Sequence, residues 1–347
     1  MDGVPDKHLC LLAAETMGKR LRAMSREIPG VHRADDVEPV HHMRVASRRL
    51  RSALEVFADC FPAKKVRAWR KAAKRVTGAL GQARDLDVQI QFLRRFLENL
   101  PERKLRPGVE RVLLRLRQQR LDVQPDLEKA LDRWQGSDAR TEPAQVVRRM
   151  QVAARKEKVR GPSPEVYRKA CQAVLMRLEE MLAYEAFARR PDQVEKLHEL
   201  RIAAKRLRYT LEVFEPVYDR ELTPFRNDAR LIQDQLGSFH DCFVWLELLR
   251  GFLEAERARA VKCCGHLRGV ERLLPGIDHL SEDRSRQMKA SYDEFVAFWD
   301  RLEKEKRWEE LRAVLVSHLR GSAVDIRPPE TAGPEANHGN RDAANAD

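Results

Sequence analysis

The chain has 347 residues, of which 43% are hydrophobic, 35% charged and only 6% aromatic, a balance that suits a helical protein and argues against a β-sandwich or barrel. Its net charge of +12 and pI near 9.6 point to a polyanionic partner, which charge alone leaves open among nucleic acid, an anionic membrane and a phosphate polymer. No apolar run reaches the roughly 18 to 20 residues that span a bilayer, and the start MDGVPDKHLCLLAAE lacks the order of a secretory signal, so a cytoplasmic protein is expected.

A first helix is predicted from about residue 5 to Ile28, with Leu9, Leu12, Leu21, Met24 and Ile28 near one side and Pro29-Gly30 as its end. Residues 35–57 then read DDVEPVHHMRVASRRLRSALEVF, and 157 positions later residues 192–214 read DQVEKLHELRIAAKRLRYTLEVF, with 13 of 23 positions identical. Each copy has the period of an amphipathic helix. Met43, Ala46, Leu50, Leu54 and Phe57 mark the core face of the first, and Leu200, Ala203, Leu207, Leu211 and Phe214 that of the second. The opposite face carries His41, Arg44, Arg48, Arg51 and Glu55, repeated as His198, Arg201, Lys205, Arg208 and Glu212. A single basic stripe is ordinarily a solvated helix face. Like charges in a row are locally unfavourable, however, and here the row recurs with the same histidine in front.

Pro62 closes the motif helix, and a third helix over 63–100 places Val66, Trp69, Ala73, Val76, Leu80 and Ala83 in three-four alternation. A second basic row, Lys64, Arg67, Lys71 and Lys74, runs along it, and from His41 to Arg75 eleven Lys or Arg stand against two acids. Two neighbouring basic rows make an anion-focusing groove if they point together and only solubilising charge if they do not.

Leu80-Gly81-Gln82-Ala83-Arg84-Asp85 is matched later by Leu236-Gly237-Ser238-Phe239-His240-Asp241. The glycines suit close helix packing. Asp85 and Asp241, beside Arg84 and His240, suit the holding of an arginine or imidazole in one orientation rather than catalysis.

A fourth helix over about 107–134, a polar break at 136–142 and a basic connecting helix at 145–160 lead to GPSP at 161–164, which divides the chain. The second half repeats the plan: a helix over 164–189, the motif helix, a core helix carrying Phe225, Ala229, Ile232, Leu236 and Phe239, and helices to about Leu319 with Trp299 and Trp308 as core or rim aromatics. Its basic row is thinner, mainly Arg220, Arg226 and Arg230. From Lys196 to Arg230 eight bases face six acids, so the first half is expected to contribute more to anion binding. Residues 321–347 have almost no apolar content and are expected to be a disordered tail.

His-x-x-Arg-Val-Ala-x-Arg-Arg-Leu-Arg followed by Leu-Glu-Val-Phe, duplicated as His-x-x-Arg-Ile-Ala-Ala-Lys-Arg-Leu-Arg-Tyr-x-Leu-Glu-Val-Phe, resembles the CHAD domain, the conserved histidine α-helical domain, across residues 5–320. The resemblance implies an all-α fold of two pseudo-symmetric four-helix bundles from an internal duplication, over 5–135 and 165–320, joined by 145–164. It also implies non-catalytic binding of inorganic polyphosphate by arginine forks, lysine point charges and the motif histidines.

The residues so assigned are His41, Arg44, Arg48, Arg51, Lys71 and Lys74 in the first half, and His198, Arg201, Lys205, Arg208, Arg226 and Arg230 in the second. Arg49 and Arg206 match the motif but sit about 80° round the helix from the histidine row. The helix dipole at His41 and His198 disfavours protonation, whereas a bound polyanion favours it.

An enzyme is not expected, since no Walker loop, HExxH, GxSxG or clustered carboxylate set occurs. Nonspecific nucleic-acid binding is the main rival, although no aromatics interleave the basic rows for base stacking. A role as partner of a triphosphate- or polyphosphate-processing enzyme is a further alternative. One histidine per repeat gives too few ligands for a metal or haem, so no cofactor is expected. The six cysteines show no CxxC pair and read as reduced thiols. The sequence leaves open whether the two basic faces meet, and whether the protein coats polyphosphate granules or regulates an enzyme.

Overall fold

The computed structural model describes residues 6–159 and 161–320, so the tail expected at 321–347 lies outside the described residues. The described residues are helices and the turns between them, with no strand. In chain order the helices are α1 (Lys7–Arg33), α2 (Glu38–Val56), α3 (Ala63–Glu98), α4 (Arg106–Gln135), α5 (Asp138–Lys156), α6 (Pro164–Leu182), α7 (Val194–Phe214), α8 (Thr223–Cys264), the single turn α9 (Arg268–Glu271), α10 (Leu274–Lys304) and α11 (Arg307–Arg320). The all-α expectation holds. Among the described residues no helix is long and apolar enough to cross a membrane.

Several boundaries differ from the sequence reading. Pro29 does not end α1, which runs on to Arg33 and stops at Ala34 in the left-handed region (φ 54°). Proline removes one backbone donor, but Ile28, Gly30 and Val31 are buried, and that burial carries the helix past it. Gly30 is required there, because a Cβ would stand 2.5 Å from the Pro39 ring at the start of α2. The polar break at 136–142 contracts to Gly136 and Ser137. The helix after it is no mere connector: α5 packs along α1 and buries Ala139, Pro143 and Val147. In the second half α6 stops at Leu182, short of 189, and a 3-10 turn follows at Glu185–Phe187.

The packing order is alike in the two halves. α1 lies against α2 and α5, α2 against α3 and α3 against α4. Likewise α6 lies against α7 and α11, α7 against α8 and α8 against α10. The halves do not keep separate cores. One apolar cluster takes in α1, α2, α5, α6, α7 and α11 with the near ends of the four long helices, Trp299 and Trp308 included. A second, smaller cluster of Leu93, Val109, Val112, Trp245, Ile277 and Leu280 fills the far ends of the α3–α4 and α8–α10 hairpins.

Contacts between the halves are reciprocal. Phe57 and Phe214, equivalent in the repeated sequence, meet edge to face with ring centroids 6.0 Å apart. Both are fully buried, which stabilises each by about 1.5–3 kcal/mol. Arg20 of α1 holds Glu212 of α7 at 2.6 Å, while Arg177 of α6, 157 positions after Arg20, holds Glu55 of α2.

At the far end α4 and α10 cross glycine on glycine. A Cβ on Gly108 would lie 2.1 Å from the Leu273 carbonyl oxygen, and one on Gly276 would lie 2.0 Å from that of Leu105. The same Leu-x-Pro-Gly occurs at 105–108 and 273–276.

Candidate functional site

The geometry answers the question of the two basic faces: where α2 packs on α7, the rows meet. Arg48 is half-buried at the crossing, and its pKa is held below the usual arginine range by burial and by the like charges of Arg44 and Arg201, against a counter-pull from Tyr209 and Asp85. Lys205, the equivalent of Arg48 in the second copy, is pushed down to about 7 by burial and then by Arg48, Arg201, Arg206 and Arg44. Arg48 and Lys205 make no ion pair with a carboxylate among the described residues. Four cations from two helices therefore share one small volume, with too little negative charge to balance them.

The Leu-Gly signature seats the arginines. The open face of Gly237 receives the Arg201 guanidinium, whose Nε would be 3.3 Å from a Cβ there; at Gly81 the corresponding distance to Arg44 Nε is 3.7 Å. Rather than the helix packing that their spacing suggests, these glycines are the gaps through which α3 and α8 admit side chains from α2 and α7.

Arg44 then donates to Asp85 at 3.2 Å. Asp241 in the second half keeps part of its side chain in solvent, yet crowding by protein atoms raises its pKa, with Arg201 opposing that rise. No hydrogen bond of Asp241 to Arg201 forms, and Arg201 Nε is buried without a partner.

The motif histidines face the residue before each of these aspartates. His198 stacks on His240 with ring centroids 4.0 Å apart, and Arg84 stands near enough to His41 to depress its protonation. His41 and His198 are both lowered, chiefly by burial and then by neighbouring arginines. His240 is lowered to about 4 by burial, His198 and Arg201. Buried and without hydrogen-bond partners are one Arg84 terminal nitrogen, His198 Nδ1, His240 Nδ1 and Arg208 Nε. Buried polar atoms are rarely left so. Arg208 lies over the ring of Tyr209, 4.5 Å from its centroid, and Tyr209, absent from the sequence-based set, faces Arg48 from α7.

The other assigned residues lie elsewhere. Arg49 is held at 3.1 Å by Glu212, and Arg206 is bonded to Glu180. Arg51 sits one turn further along α2, beside Arg70 and Glu55. Lys71 and Lys74 are exposed on α3. Arg226 is occupied by Glu215 at 2.9 Å, and Arg230 pairs with Asp234 at 3.2 Å on an exposed face. Among the described residues no group of three or more His, Cys, Asp or Glu could hold a metal ion.

An all-α protein whose two motif helices cross over a cationic cluster is the class these observations define. Residues 15–250 match the CHAD domain, and the chain belongs to that family. It is similar in fold to the crystal structure of the CHAD domain from the plant Ricinus communis, with a TM-score of 0.58 and 23% identity over 84% of this chain and 91% of that one. It is also similar to PptA from Streptomyces chartreusis, with a TM-score of 0.50 and 16% identity over 83% and 98% of the two chains. None of the curated proteins compared with the chain matches it.

Proposed function

We propose that the α2–α7 crossing is a non-catalytic receptor for inorganic polyphosphate, in which Arg44, Arg48, Arg201 and Lys205 are the central cations. The observation that carries this reading is the merging of basic rows from both sequence copies into one cluster whose charge the protein leaves unbalanced. Confined like charges destabilise a free protein, and a chain of phosphates relieves that repulsion while giving the unpartnered nitrogens of Arg201, Arg208, His198 and Arg84 oxygen acceptors. Arg226, Arg230, Arg49 and Arg206, each tied to a carboxylate, would contribute long-range potential rather than direct contacts.

The two sequence copies would then be pseudo-twofold mates that each give half of the site. Their axis would pass between Arg48 and Lys205 and between Phe57 and Phe214. Attachment to the polymer would bring the protein to polyphosphate granules or to an enzyme that processes the same polymer, with no chemistry of its own.

The test is binding of defined-length polyphosphate at near-physiological salt, with duplex DNA as competitor and the Arg44→Ala/Arg201→Ala protein as control. Tight binding that resists DNA and fails in the variant supports the receptor. Equal displacement by DNA, or an unaffected variant, would reduce the cluster to generic charge.

A further inference from the structure

Four of the six cysteines are readily placed: Cys171 and Cys242 are buried packing residues, and Cys263 and Cys264 are exposed at the end of α8. The remaining two meet in space although 50 positions separate them in the chain. Cys10 lies in the first turn of α1, and Cys60 lies in the 3-10 turn Ala58–Cys60 that follows α2 and packs on α1. Their side chains are hydrogen-bonded to each other, and both are only partly buried.

We infer that Cys10 and Cys60 form an oxidisable pair, converted by a peroxide into an intramolecular disulfide that ties α1 to the end of the first motif helix.

The contact sets the two sulfurs apart. It lowers the Cys10 pKa and, with burial, raises that of Cys60. Cys10 is thus the sulfur that attacks first, since the thiolate is the nucleophilic form. Its sulfur attacks one peroxide oxygen, the O–O bond breaks, and Cys10 becomes a sulfenic acid as one water leaves. The Cys60 sulfur then attacks the Cys10 sulfur, forming the S–S bond and expelling the hydroxyl with the Cys60 proton as a second water. Two thiols lose two electrons and two hydrogens, and the peroxide is reduced to two waters.

Position gives the bond leverage. Cys60 lies three residues beyond Phe57, whose ring meets Phe214 between the halves. Its neighbour Asp59 is bridged to Lys169 of α6 at 2.6 Å. A covalent tie here would fasten α1, the end of α2 and, through Asp59, α6. It closes a loop of about 50 residues, long enough to restrict the unfolded chain appreciably.

The experiment uses the full chain carrying Cys263→Ser and Cys264→Ser, so that exposed thiols do not compete. The protein is treated with hydrogen peroxide, alkylated with a maleimide, digested without reductant and analysed by mass spectrometry, with melting followed in parallel. The expected result is a chain lighter by two hydrogens, a linked peptide pair containing Cys10 and Cys60, and a higher Tm that dithiothreitol reverses. With Cys60→Ser, the Cys10 sulfenic acid should persist and be trapped by dimedone. With Cys10→Ser, Cys60 should stay unmodified. Recovery of both thiols as maleimide adducts after peroxide, or disulfides only between chains, would overturn the inference.

Discussion

The protein handles buried charge in two opposite ways at its two helix crossings. At the far end of the hairpins, Arg111, Arg115 and Arg259 all converge on Glu256, which is 4% exposed and accepts from each of them. On α4 as well, Arg120 donates to Asp87 Oδ1 at 2.7 Å. At the α2–α7 crossing, by contrast, neither Arg48 nor Lys205 is paired with a carboxylate among the described residues, and Asp85, which offsets Arg48 only in part, is bonded to Arg44. Charge that meets its partner inside the fold holds helices together. Charge assembled without one raises the energy of the free protein until something anionic arrives.

The sharpest way to break this contrast is to neutralise the crossing. Replacing Arg48 and Lys205 together by alanine removes two cations whose engagement by phosphate is worth about 1.5–3 kcal/mol each. Polyphosphate affinity, measured by calorimetry at fixed salt, should fall at least roughly 100-fold. Thermal stability should stay level or rise, because mutual repulsion is relieved. A fall in Tm with unchanged affinity would show that the cluster is structural.

The converse variant belongs to the far crossing. Gly276→Ala places a methyl 2.0 Å from the Leu105 carbonyl oxygen, where neither backbone can yield. The loss should be about 3 kcal/mol in urea unfolding, against a gain of only about 1 kcal/mol in helix propensity. Affinity should hold at temperatures where the variant remains folded.

Gly237→Ala sharpens the comparison within the site itself. The added Cβ would press on Arg201 Nε at 3.3 Å, tight enough to shift the guanidinium, whereas Gly81→Ala meets Arg44 at an ordinary 3.7 Å. We expect roughly tenfold weaker binding for the first and little change for the second, both at equal or slightly greater stability. Similar affinities for the two alanine variants would deny that Gly237 seats Arg201.

A smaller effect follows from Lys205. Its pKa of about 7 in the folded protein lies below the unfolded value of 10.5, so between those limits the unfolded chain holds a proton that the folded one has shed. Stability from this group therefore rises with pH across that window, and the penalty is fullest below pH 7. A bound polyanion reverses the balance by favouring the charged lysine. Proton uptake on binding at pH 8, read as a dependence of calorimetric enthalpy on buffer ionisation, should be present in the parent and reduced in Lys205→Met. His41, His198 and His240, all lowered in the free protein, should add uptake at more acidic pH.

Much of this was legible in the sequence because helical periodicity is a strong signal. The core faces of α2, α3, α7 and α8 and the two basic rows follow from residue spacing alone. What the sequence withheld were the contacts between its distant parts. Nothing in a one-dimensional pattern says that Arg48 would stand beside Arg201, or that Gly237 would open toward a side chain from another helix. Pro29 misled because a breaker was weighed without the burial around it. Arg226 and Arg230 are basic residues on the helix that follows the motif, and nothing in the sequence connects them to the acids that claim them, Glu215 and Asp234.

Those two arginines supply the finest test of the comparison. Arg230 meets Asp234 across one helical turn on an exposed surface, and such pairs contribute only about 0.3–0.5 kcal/mol to a helix. Arg226 is held by Glu215, the first residue of the 3-10 turn after α7, at the far end of that helix from Arg201. If unbalanced charge is what binds, Arg226→Ala and Arg230→Ala should each change polyphosphate affinity by less than roughly twofold at physiological salt, since charge farther than a Debye length of about 8 Å is screened. Lowering the salt should enlarge both effects together. A loss on Arg226→Ala comparable to that of the Arg48/Lys205 variant would mean that the polymer path continues past the crossing and draws Arg226 away from Glu215.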